Sequence, residues 1–277
     1  PLSGGEDDVA DALVERGEHG CGGHLLGAAR RVEHETLAGL KLSEIDVSAQ
    51  ETQREPLQLA DIYVPLDTHL RIPEDTTLVQ WLSRNQRPEH GDTDPQRKTR
   101  LVSAFEALAA HRMLTLLGKA GSGKSTFGAS VLLALAQMWQ GRRTELAKLG
   151  GSWTHGALLP IRVILRRFAE QLAPGDAPIR AGQLWRFIAD ELTASGYGLS
   201  TEVLKYIQRI ARNHGALIVL DGLDECGSAE TRLRVLHAVD ELMASAGGKC
   251  RFLLTARPYA RPDGPNRRLT GTCEGAC

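Results

Sequence analysis

The chain has 277 residues, of which 42% are hydrophobic and 24% charged, and it carries a formal charge of −1. That length and balance allow one large α/β core or two smaller domains, and they exclude the disordered and fibrous classes. A near-neutral charge gives no bulk attraction to nucleic acid or to an acidic membrane surface. The arginines fall in scattered pairs (Arg30-Arg31, Arg142-Arg143, Arg166-Arg167, Arg267-Arg268), so no clear nucleic-acid patch is expected.

No apolar run approaches the ~20 residues of a membrane helix, and the acidic start Glu6-Asp7-Asp8 is the wrong flank for a signal peptide. The five cysteines, Cys21, Cys226, Cys250, Cys273 and Cys277, are an odd number too sparse for a disulfide framework. Reduced thiols and a cytoplasmic location are the expectation. Cys273 and Cys277 have no second Cys/His pair at zinc-finger spacing, so no metal site is assigned to them. Because the first residue is Pro, the sequence is expected to be a processed chain or a piece of a longer one.

Residues 1–56 are polar, with short helical patterns and no assignable role. Residues 57–94 form a strand segment and a linker: Leu57, Leu59, Ile62, Val64 and Leu66 alternate like a strand, and Arg84 to Asp94 is charged and broken by Pro88 and Gly91. Residues 95–260 are expected to form the core. A helix capped by Asp94 and opened by Pro95 runs to about His111, with Leu101, Ala104, Phe105 and Leu108 at helical spacing. Four apolar runs follow as buried parallel strands: Met113 to Leu117, Leu158 to Leu165, Ala216 to Leu220 and Phe252 to Thr255. Helical patterns lie between them at about 123–140, 183–195, 200–213 and 228–245, with Ser200 and Ser228 as caps. This alternation predicts an α/β fold, a parallel sheet flanked by helices. Residues 261–277 read as an irregular tail with no apolar strand.

Gly118-Lys119-Ala120-Gly121-Ser122-Gly123-Lys124-Ser125 fits the P-loop (Walker A) pattern G-x-x-x-x-G-K-S/T at every defined position, and it lies between a strand and a helix. Glycines let backbone amides turn inward around phosphate oxygens, Lys124 supplies a charge for the β- and γ-phosphates, and the helix N-terminus adds its dipole. Thr126, next in sequence, is grouped with this nucleotide-binding set. Ser125 offers a hydroxyl to Mg2+. A second ligand comes from Leu217-Ile218-Val219-Leu220-Asp221, a buried strand ending in a carboxylate, the Walker B arrangement. The adjacent acids Asp224 and Glu225 are candidates for orienting the attacking water, Asp224 first because it lies closer to the strand end. Arg257, at the end of the strand Arg251 to Thr255, is placed to sense the γ-phosphate; a plain surface charge before Pro258 is the alternative.

These segments together resemble the NACHT domain, a P-loop NTPase of the STAND class of signal-transduction ATPases. The resemblance rests on the P-loop, the Asp221-Gly222-Leu223-Asp224-Glu225 box, Thr255-Ala256-Arg257-Pro258, the strand Leu158 to Phe168, and Asp61 to Leu66. It covers about residues 57–260. It implies a signalling switch that rests with ADP, takes up ATP with Mg2+, and self-associates through the NTPase domain. The family continues into a fifth core strand and lid domains, and both are expected to be missing here. Ala256 stands where the family more often has Ser.

The function expected is therefore ATP or GTP binding with slow hydrolysis in a nucleotide-controlled switch. The alternatives are a nucleotide-gated scaffold with little turnover, or another P-loop ATPase or kinase. Two lookalikes carry no weight. Leu2-Ser3-Gly4-Gly5-Glu6 resembles a transporter-ATPase signature but precedes the P-loop, and His34-Glu35 opens like a zinc-protease helix yet Ala38 replaces the second His.

Overall fold

A computed structural model describes residues 66–84, 98–139, 153–172, 179, 182–193, 200–260 and 272–274. Its elements are β1 (Asp67–Pro73), α1 (Leu78–Arg84), β2 (Thr99–Ser103), α2 (Ala104–Ala110), β3 (Met113–Leu117), α3 (Lys124–Trp139), β4 (Leu159–Ile164) and α4 (Leu165–Glu170). They continue with α5 (Gln183–Thr193), α6 (Ser200–Asn213), β5 (Ala216–Asp221), a 3-10 turn Leu223–Glu225, α7 (Ala229–Ser245), β6 (Arg251–Ala256), a 3-10 turn Pro258–Ala260 and β7 (Thr272–Glu274).

The strands β4, β5, β6 and β3 lie side by side in that order, all parallel, as the alternation of strands and helices predicted. A parallel sheet must cover both faces, which is why its strands are apolar at nearly every position. Side chains alternate between two cores. Ile218, Leu220, Phe252 and Leu254 face α4 to α7, packing with Phe168, Trp185, Ile210, Leu236 and Val239. Leu217, Val219, Leu253, Leu114 and Leu116 face α2, α3 and the β1–β2 pair, packing with Phe105, Leu108, Phe127, Val131 and Leu135.

The sheet gains a strand that the sequence did not suggest. β7 pairs in parallel with β3 over Thr115 to Leu117. The expectations of a strandless tail and a missing fifth strand are corrected in this respect: three residues are too few to show a period of two, and the pairing is driven by the backbone groups at the β3 edge. β3 is therefore interior rather than an edge.

The start of the core is also corrected. The helix expected from residue 95 begins at Ala104; residues 99–103 form β2, antiparallel to β1. The N-terminal signal that decides it is Ser103-x-x-Glu106, in which the Ser103 hydroxyl accepts from the Glu106 amide at 3.1 Å. Glu106 then turns away from the cap to form a bidentate pair with Arg100 at 2.7 and 2.8 Å and to accept the Leu78 amide at 2.9 Å. This one carboxylate ties β2, α2 and α1 together. The strand expected over 57–66 lies outside the described residues except for Leu66, as do Asp94 and Pro95.

At the opposite end of the sheet, Arg112 precedes β3 and closes α7. Its guanidinium donates to the Met243 and Gly247 carbonyls at 2.9 Å each and to Cys250 at 3.3 Å. Carbonyls at a helix C-terminus lack partners within the helix, and a cation there also meets the negative end of the dipole. Among the described residues no helix is long and apolar enough to cross a membrane.

Candidate functional site

The glycine-rich loop leaves β3 at Leu117 and enters α3 at Lys124, so it crosses the carboxyl edge of the sheet, where open α/β folds bind ligands. Its first amide, Gly118, donates to the Ala256 carbonyl of β6 at 3.2 Å. A Cβ on Gly118 would sit 2.5 Å from Ser122 Oγ, so a larger residue there would force the Ser122 hydroxyl to move. Gly121 and Gly123 have φ of 78° and 82°, the left-handed region that side-chain-bearing residues rarely take. Lys119, Ala120 and Gly121 are exposed. Lys124 curls over the loop, and its Nζ donates to the Gly118 and Lys119 carbonyls at 2.7 Å each and to Ser122 Oγ at 3.2 Å. Thr126 lies in the first turn of α3, partly buried, with its carbonyl accepting from Ser130 Oγ at 2.8 Å.

Beneath the loop, Asp221 ends β5 and is 9% exposed. Three donors converge on its carboxylate. Ser125 Oγ donates to Oδ1 at 3.0 Å, Thr255 Oγ1 to the same oxygen at 2.7 Å, and Arg162 Nη2 to Oδ2 at 2.8 Å. Thr255 also accepts the Gly222 amide at 2.9 Å, which joins the ends of β5 and β6. Ser125 and Asp221, 96 positions apart, thus lie side by side. Neither Thr255 nor Arg162 is among the site residues expected from the sequence. The signal for Arg162 was available as a lone charge inside the apolar run Leu158 to Leu165, but only the pairing of β4 with β5 sets it beside Asp221.

Gly222 follows with φ 80°, so the chain turns sharply off the strand into the 3-10 turn. This turn separates the two acids. Asp224 has a side chain only 7% exposed, and both its oxygens face Arg257: Oδ1 accepts the Arg257 amide at 3.1 Å and Oδ2 pairs with Nε at 3.0 Å. Glu225 is exposed and folds back toward Gly222. Cys226 is buried beside them, and burial, reinforced by the charges of Asp224 and Glu225, pushes its thiol up to about 12.

Hard oxygen donors such as the Ser125 hydroxyl and the Asp221 carboxylate are the kind that Mg2+ takes, one or two at a time, with phosphate oxygens and water completing its shell. Among the described residues no group of three or more His, Cys, Asp or Glu could hold a metal by itself.

The fold and this edge define the chain as a parallel α/β protein with a P-loop-like domain. Residues 102–257 match the family model described as Nephrocystin 3, N-terminal. That match spans more than half of the chain, from β2 to Arg257, and the chain belongs to this family. No curated protein and no solved structure matches it significantly.

Proposed function

We propose that the loop from Gly118 to Thr126 binds ATP or GTP with Mg2+, and that the chain hydrolyses it slowly as a cytoplasmic signalling switch of the NACHT type that self-associates. The observation that carries the reading is the 3.0 Å hydrogen bond between Ser125 and Asp221 directly below a loop whose backbone is held open by Gly121 and Gly123. In this reading the loop amides, the positive end of the α3 dipole and Lys124 hold the phosphates. Ser125 and Asp221 hold Mg2+, which would neutralise charge developing on the phosphates. Arg257 reaches the γ-phosphate.

The water-orienting role goes to Glu225 rather than Asp224. Asp224 has both oxygens engaged by Arg257, whereas Glu225 is exposed on the same turn. The same engagement favours the rival reading in which the chain binds nucleotide and assembles with little turnover, since it removes one of two candidate bases.

Calorimetry with ADP, ATP and GTP in the presence of Mg2+, together with phosphate release and light scattering, tests the proposal. Nucleotide binding with measurable release supports the switch, and binding without release leaves the scaffold. Absence of binding to any of the three ends both.

A further inference from the structure

The two carboxylate oxygens of Asp221 are divided between different kinds of partner. Oδ1 takes two neutral hydroxyls, from Ser125 and Thr255, while Oδ2 takes a full positive charge from Arg162 at 2.8 Å. The pair is well shielded from water, with side chains 22% and 11% exposed. Arg162 stands in the middle of β4, in register with Val219, two residues short of the strand position that pairs with Asp221. Its guanidinium is thus delivered from the neighbouring strand.

A guanidinium has no use for the hydroxyl geometry at Oδ1, and Asp221 would keep its orientation without Arg162, because Ser125 and Thr255 still fix Oδ1. What Arg162 supplies is charge. A cation approaching Asp221 meets a carboxylate already neutralised, and the repulsion between that cation and the guanidinium acts at short range in a partly buried setting, where screening is weak.

We propose that Arg162 is a resident counter-ion for Asp221 that raises the divalent-cation concentration the site requires. It stabilises the carboxylate when no cation is present and restrains cation binding until a nucleotide adds its own negative charge. This rests on the reading above, in which Asp221 is a cation ligand, and Arg162 acts through Asp221 rather than on the reacting phosphates.

The test uses Mn2+ as probe, its free concentration followed by electron paramagnetic resonance with the nucleotide-free protein. Arg162→Met should lower the Mn2+ concentration for half-occupancy about tenfold, the scale of removing one charge near a divalent ion at intermediate dielectric. Arg162→Lys, which keeps the charge, should stay close to the parent chain. Adding Asp221→Asn to Arg162→Met should abolish the gain. If Arg162→Met does not fold by circular dichroism, Arg162→Gln serves in its place against the Lys variant.

Parent-like or weaker Mn2+ binding in the neutral variants overturns the counter-ion role while leaving Asp221 as ligand. If the parent chain binds ADP but its Mn2+ binding is indifferent to Asp221→Asn, the ligand assignment itself fails and the counter-ion role falls with it. A structural role alone would not produce tighter binding.

Discussion

The Nε of Arg257 lies 3.0 Å from Oδ2 of Asp224, and the backbone amide of the same arginine donates to Oδ1 at 3.1 Å. One carboxylate thus holds both the side chain and the main chain of the residue that follows β6. Asp224→Asn should keep nucleotide affinity within a few-fold and lower the melting temperature by a few degrees; because Arg257 is 43% exposed, solvent screening keeps the loss small. Glu225→Gln should leave stability alone and cut phosphate release by about two orders of magnitude, the scale of a lost general base. If Asp224→Asn alone abolishes release with Arg257 still ordered, the base is Asp224.

Lys124 touches the carbonyls of Gly118 and Lys119 and the Ser122 hydroxyl, and is the cation of the loop that reaches back over it. Lys124→Ala should weaken ATP and ADP binding at least tenfold, about 1.4 kcal/mol or more. Unchanged affinities by calorimetry would remove the loop from the binding site.

Gly222 carries φ 80°, and a Cβ there would meet Glu225 Cδ at 3.4 Å. Gly222→Ala should therefore cost about 1–2 kcal/mol of stability, the strain of a left-handed residue with a side chain, and relaxation of the turn to relieve that strain should shift Glu225. Denaturant unfolding reads the first effect and phosphate release the second. A variant as stable and active as its parent would show that the turn does not need this backbone.

For Glu106, burial alone would push the carboxyl up, but the Arg100 hydrogen bond, the Leu78 amide and the Arg100 charge outweigh it and hold it below the usual carboxylate range. A depressed carboxylate contributes stability that is complete above its unfolded pKa, about 4.3, and that disappears as pH falls through the lower folded value. The melting temperature of the chain should drop more steeply below about pH 4.3 than that of Glu106→Gln, which has no such charge to lose. Parallel pH profiles would contradict the pairing.

Cys226 and Cys250 are 3% and 0% exposed, and burial is the main reason that both thiols are raised. Since the thiolate is the reactive form, neither should be alkylated by a maleimide at about pH 8 in the folded chain, and both should be after denaturation. Peptide mapping by mass spectrometry distinguishes them from the other cysteines. Rapid native labelling of Cys226 would mean that the turn after Asp221 opens.

The sequence by itself determined the order and nature of the core elements, because a strand buried on both faces must be apolar and a helix must repeat its apolar face; Met113 to Leu117 and Ala216 to Leu220 needed nothing more. It also determined the loop from Gly118 to Ser125, where each residue type answers a local demand of backbone or charge. Only the tertiary structure decided what those residues face. Arg162 reaches Asp221 across 59 positions and Asp224 holds Arg257 across 33, distances over which no periodicity carries information. The short β7 and the strand at residues 99–103 are of the same kind, since each owes its form to backbone hydrogen bonds with a partner strand far away in the chain, and such bonds leave no mark on side-chain pattern.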